Sequence, residues 1–150
     1  MISLIMKSFP NQSKEQYYGN REYKFLLNNN IYTKNENTIE EYKNLECKKY
    51  KKILLNKRKA ELKRLQKRAT QMLFRINEGK GKAIYIIGID DDGISTGIPL
   101  NNIYDAIVYL ELMKIEIKAN INNYRIYLGQ KGFILTARVF IEPYKEIEFF

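Results

Sequence analysis

Residues 81–99, GKAIYIIGIDDDGISTGIP, set an apolar run directly against three consecutive carboxylates and a glycine. From Ala83 to Ile89 the run is rich in isoleucine and has no polar alternation, the pattern of a central strand covered on both faces. Asp92-Gly93 then carries the residue pair of a tight hairpin turn, whose central positions need positive φ. The following ISTGI, 94–98, is expected to return as a short partner strand. On this reading Asp90, Asp91 and Asp92 are the solvated tip of a hairpin. A calcium loop would instead need oxygen ligands at alternate positions and a late bidentate acid, whereas consecutive acids on a hairpin point in different directions. No metal site is expected.

Working back from this stretch, Leu62, Leu65, Ala69, Met72, Leu73 and Ile76 recur at helical spacing and mark a core-facing stripe. Thr38 and Glu41 form a capping box, and no Gly or Pro follows until Gly79, so one long helix is expected. Its first half lacks the stripe, so residues 38–56 are expected to project from the body or lie on its surface, ordering fully against a partner. The GKGK at 79–82 follows a helix and leads into a strand, the reverse of a phosphate loop, and reads as a helix C-cap. No nucleotide is expected there. Upstream, REYKFLL at 21–27 reads as a strand ended by Asn28, Asn29 and Asn30, and residues 1–20 as irregular.

Downstream, Ile103, Ala106, Ile107, Leu110, Met113 and Ile117 mark the buried face of a second helix, with Glu111, Lys114, Glu116 and Lys118 opposite. NYRIYL and GFILTARVFIE read as strands joined by the turn at 129–132. The longer one alternates Phe133, Leu135, Ala137, Val139 and Ile141 on one face. The order βαββαββ implies one α+β domain over 21–142, with helices packed on a mostly antiparallel sheet and a long basic helix partly projecting. An apolar tail, 143–150, follows.

At 150 residues one domain is the expectation. The single cysteine, Cys47, excludes an intramolecular disulfide and a cysteine zinc site; lacking a histidine partner, it reads as an incidental thiol. The absence of histidine removes the commonest metal ligand and the usual general base. There is no signal-peptide pattern and no run of eighteen apolar residues, so a reducing, cytoplasmic setting without a membrane partner is expected.

The net charge is +9, and its placement says more than its size. Residues 43–68 hold twelve Lys/Arg against two acids, Glu46 and Glu61, a net of +10; the other 124 residues hold 14 basic and 15 acidic side chains. The whole excess is one block, which argues for a located anionic partner. A solvated helix face is the bland alternative, but so dense a charge repels itself along a helix and is relieved when phosphates neutralise it. The candidate RNA-binding set is Lys48, Lys49, Lys51, Lys52, Lys57, Arg58, Lys59, Lys63, Arg64, Lys67 and Arg68. Tyr42 and Tyr50 are candidates to stack on bases.

REYKFLL, followed after a helix by TQMLFRINEGKGKAIYIIGIDDDGISTGI at 70–98, resembles the domain that precedes the GTPase module in the GTP-binding-protein family of translational GTPases, relatives of elongation factor 1-alpha. The resemblance rests on Glu22, Tyr23, Lys24, Thr70, Gln71, Met72, Arg75, Glu78, Gly79, Gly81, Ala83, Ile84, Tyr85, Ile87, Gly88, Asp91, Gly93, Gly97 and Ile98, and spans roughly 22–141. Two departures stand out: no GTPase module follows, and the connection before Thr70 is longer and contains much of the basic block. The resemblance implies a ribosomal partner, with ribosomal RNA favoured over DNA, no cofactor, and action by occupancy of a tRNA or mRNA site rather than by catalysis. The Lys- and Asn-rich composition is similar to that of microsporidian ribosome dormancy factors. More loosely, the core resembles the Schlafen-type domain, which implies an alternative, a metal-dependent RNase using Glu22, Asp90 and Asp91; its first glutamate belongs near Tyr17, where none stands. A third reading is a protein-interaction adaptor. Beyond Pro143, which ends the last strand, the tail carries Tyr144, Ile147, Phe149 and Phe150, an apolar density that suits docking on a partner.

Overall fold

The computed structural model describes residues 2–27 and 48–142, with backbone alone over 48–54. The described chain runs β1 (Ile2–Ser8), β2 (Arg21–Lys24), α1 (Lys48–Glu78), β3 (Lys82–Ile87), α2 (Leu100–Ile117), β4 (Asn120–Leu128) and β5 (Phe133–Phe140). The five strands form one sheet in the order β1-β4-β5-β3-β2, and the two helices pack on it as an α+β domain. The sheet is mixed: β5 is antiparallel to β3 and β4 in the middle, while β1 joins β4 and β2 joins β3 in parallel at the edges.

The isoleucine-rich run is buried on both sides, as its lack of alternation requires. Ala83, Tyr85 and Ile87 face the main core with Leu135, Ala137 and Val139 of β5 and the buried stripes of both helices. Ile86 faces the other way, into a smaller cluster with Tyr23, Ile89 and Ile134. That side is roofed in part by Phe9 and Tyr127, whose ring centroids lie 5.1 Å apart at 60°. On α2 the expected residues Ile103, Ala106, Ile107, Leu110 and Met113 are buried. The helix opens at Pro99 and closes on Lys118 in the left-handed conformation. The C-cap of α1 is as the GKGK implies: Lys80 and Gly81 have positive φ, and the Gly81 N–H bonds back to Ile76 O at 2.8 Å.

Two expectations are corrected. Residues 2–8 are not irregular; they form β1, an edge strand on which Ile2, Leu4 and Met6 stay exposed. Residues 94–98 are not a strand, and only Ile98 makes a β-bridge, to Phe133. The reason is that both edges of β3 are already taken, by β2 and β5, so no hairpin partner fits beside it. The 90–97 loop instead bonds to the segment that follows β1. Gln12 N–H donates to Gly93 O at 2.7 Å, Glu15 N–H to Asp91 O at 2.8 Å, and Ser95 N–H to Asn11 Oδ1 at 2.9 Å.

The stripe on α1 is shorter than its spacing implies. Leu65, Ala69, Met72 and Ile76 are buried, but Leu62 is 48 % exposed. Residues 55–60 are all exposed. Six consecutive helical positions cover every direction around the axis, so no face of this part is buried against the described residues. The expectations for Asn28–30, Thr38, Tyr42, Cys47 and the tail lie outside the described residues.

Gly93, at φ 88°, passes under the N-terminal segment so closely that a Cβ there would lie 2.1 Å from Gln12 O. Gly93→Ala is therefore expected to lower stability by more than the roughly 1–2 kcal/mol of left-handed strain alone, whereas Gly19→Ala, at φ 106° with nothing within 4 Å of the new Cβ, shows only that strain. Thermal unfolding of the two variants checks this; equal losses would contradict the tight crossing.

Candidate nucleic-acid interface

The residue that seats α1 is an arginine on its apolar stripe. Arg75 lies between Met72 and Ile76 on the same face and is 4 % exposed. A guanidinium there must be both paired and hydrogen-bonded. Its Nε donates to Glu22 Oε2 at 2.7 Å, Nη1 to Gly19 O at 2.9 Å and Nη2 to Gln16 O at 3.0 Å. Glu15 Oε2 stands 3.9 Å from Nη2, and the other oxygen of Glu22 pairs with Lys24 Nζ at 3.2 Å. Glu15 also accepts the N–H of Tyr23. One side chain thus ties α1 to β2 and to the 9–20 segment.

The charges around this pair leave their mark on its neighbours. Burial pushes the Glu15 carboxyl above its ordinary value; the Tyr23 N–H and Arg75 pull it down, and the charges of Glu22 and Asp91 push it further up. The Tyr85 hydroxyl, buried and without a hydrogen-bond partner among the described residues, is pushed up by burial and then by Glu22.

Outward from Arg75, α1 and the 9–20 segment enclose an open groove of about 870 Å³. Six cations line it, Lys14, Lys24, Arg64, Lys67, Arg68 and Arg75, against two acids, Glu15 and Asp91. Tyr17 and Phe74 are its aromatic walls. Arg68 is half-buried, donates to Leu27 O and lies 5.8 Å from the Tyr109 ring centroid, so the fold claims part of its charge. Of the candidate RNA-binding side chains, Lys57, Arg58, Lys59, Lys63, Arg64 and Lys67 are exposed. Arg64 and Lys67 reach the groove, and the others continue along the uncovered helix. The side chains of Lys48, Lys49, Lys51 and Lys52, and the tail residues Tyr144, Ile147, Phe149 and Phe150, lie outside the described residues.

The three aspartates divide. Asp90 Oδ1 accepts the N–H groups of Asp92 and Ile94, both at 3.0 Å, and Gly93 N–H donates to Asp90 O, so Asp90 is the cap of its own turn. Only Gly93, not Asp92, takes positive φ. Asp91 and Asp92 are exposed, and Asp91 lines the groove. The acids of the RNase alternative are thus scattered in role: Glu22 is paired to Arg75, Asp90 holds the turn and Asp91 faces the groove. Among the described residues no three His, Cys, Asp or Glu are grouped so as to hold a metal ion. Also among them, no helix is long and apolar enough to cross a membrane. Sequence reasoning missed Glu15, Lys14, Tyr17 and Phe74. The usable signal was Arg75 itself, a charge on a buried stripe that calls for an acid elsewhere.

Comparison of the chain with protein-family models, with curated proteins and with solved structures finds no match.

Because Glu22 is only 1 % exposed, Arg75→Met leaves a buried carboxylate with the half-buried Lys24 as its one remaining cation and is expected to cost about 3 kcal/mol. Adding Glu22→Gln to it is expected to restore a large part of that loss. Urea unfolding of both singles and the double checks it; simple additivity of the two losses would show that the pair is not coupled.

Proposed function

We propose that this chain is a non-catalytic, ribosome-associated factor that binds ribosomal RNA through α1 and, by occupying a tRNA or mRNA site, silences translation. The observation that carries the RNA-binding part is the run of exposed cations from Lys57 to Lys67, on a helix whose residues 55–60 are all exposed. A helix face of this kind contributes little to the core, while a phosphate backbone relieves its self-repulsion. The groove at its base adds cations from β2 and the 9–20 segment, so the basic surface continues onto the domain. The ribosome, with ribosomal proteins beside the RNA, is favoured by the resemblance to translational GTPases, and the apolar density of the tail suits a second contact. Non-catalytic action is supported by the engagement of Glu22 with Arg75 and of Asp90 with its turn.

Replacing Lys57, Lys59 and Lys63 by Glu is expected to abolish RNA binding while leaving the melting temperature within a few degrees, because all three side chains are exposed. For the wild type, six phosphate contacts imply a slope of log K against log salt of roughly −4 on single-stranded RNA. A flat salt response, or a variant that binds like wild type, would contradict the reading. RNA incubated with the protein and Mg²⁺ or Mn²⁺ should be recovered intact; cleavage lost in Asp91→Asn would instead promote the RNase alternative.

A further inference from the structure

Two tyrosines of the 9–20 segment are exposed in a way that packing does not explain. Tyr17 is 79 % exposed and Tyr18 68 %, their ring centroids 4.8 Å apart and nearly perpendicular at 87°. Exposed aromatic rings on a loose loop would carry little information. These are held: the carbonyls of Gln16 and Gly19, one on each side of the pair, accept hydrogen bonds from the same buried guanidinium, that of Arg75. The segment is further fixed by Gln12 N–H on Gly93 O, Glu15 N–H on Asp91 O, and the Tyr23 hydroxyl on Ser13 O at 3.0 Å.

Tyr17 lines the groove together with Phe74 of α1, itself 40 % exposed, and the two rings share that groove with Lys14, Arg64 and Lys67. None of these three cations has an acidic partner among the described residues. Rigidly presented rings beside unpaired cations match what an unpaired nucleotide needs: a π-face for its base and donors for the phosphates on either side. A duplex offers the phosphates but keeps its bases stacked inside.

We propose that the groove between the 9–20 segment and the C-terminal half of α1 binds unpaired RNA, with a base stacked on Tyr17 and the flanking phosphates on Lys14, Arg64 and Lys67. The inference rests on the RNA-binding reading above and adds which form of RNA is held and where. Arg75 acts as a positioning residue that fixes the ring-bearing loop. A groove of about 870 Å³ has room for more than one nucleotide.

The chain contains no tryptophan, so Tyr17→Trp places a single indole in the groove. Its fluorescence is followed while an unstructured 12-nucleotide RNA, or a hairpin RNA of the same length whose nucleotides are all paired and whose stem is closed by a non-nucleotide linker, is added, with anisotropy of labelled RNA reporting binding in parallel. Quenching by the unstructured RNA, with much less by the hairpin at equal occupancy, is expected. Tyr17→Ala and Phe74→Ala should each weaken binding of the unstructured RNA by roughly 5- to 150-fold, the range for one lost base stack, and change hairpin binding less than twofold. Binding by anisotropy without quenching, or alanine variants that bind unstructured RNA like wild type, would overturn this inference and leave the helix reading standing. A polyglutamate of matched charge that displaces RNA equally from wild type and Tyr17→Ala would overturn it too, in favour of a purely electrostatic surface. No binding of either RNA would overturn both.

Discussion

Burying a guanidinium is the constraint on which the arrangement depends. Arg75 has three of its donors committed and its charge balanced by Glu22, which in turn shares Lys24. Desolvating two such charges is expensive, and a methionine–leucine contact would hold the elements together at least as well. What an apolar contact does not supply is direction. The guanidinium fixes where the backbone of the 9–20 segment crosses α1, and that crossing sets the groove, the position of Tyr17 and the contact of Gln12 with the Gly93 turn.

The same anchoring matters for the helix. At 1.5 Å per residue the 31 residues of α1 extend about 46 Å, but among its described side chains the buried ones run only from Leu65 to Ile76. Helical spacing also places Lys59, Lys63 and Lys67, and Arg64 and Arg68, four residues apart, pairs that repel by a few tenths of a kcal/mol each. Packing does not account for such a face. Neutralisation by an anion is the role we propose for it, and the lining of the groove continues the same sign of charge onto the domain.

What the sequence revealed was what local pattern encodes. The unbroken apolar run of β3, the stripe of α2, the alternation of Leu135, Ala137 and Val139 and the C-cap at Lys80-Gly81 follow from neighbours a few residues away. β1 was not legible because its partner, β4, comes from the far end of the chain and because an edge strand can leave Ile2, Leu4 and Met6 exposed. ISTGI misled for the same reason in reverse: the turn chemistry of Asp92-Gly93 is local, while the occupation of both β3 edges is not. The basic helix was readable from composition alone. The groove was not, since Lys14, Tyr17, Lys24, Arg64, Lys67 and Phe74 meet only once Arg75 has brought α1 and the N-terminal segment together.

We propose that this basic surface engages ribosomes. Sucrose-gradient sedimentation of a lysate from cells making the chain, probed for the protein across the gradient at rising salt, tests it most directly. Co-migration with ribosomal particles that persists at moderate salt and disappears at high salt is expected. A protein found only at the top of the gradient, even at low salt, would contradict it.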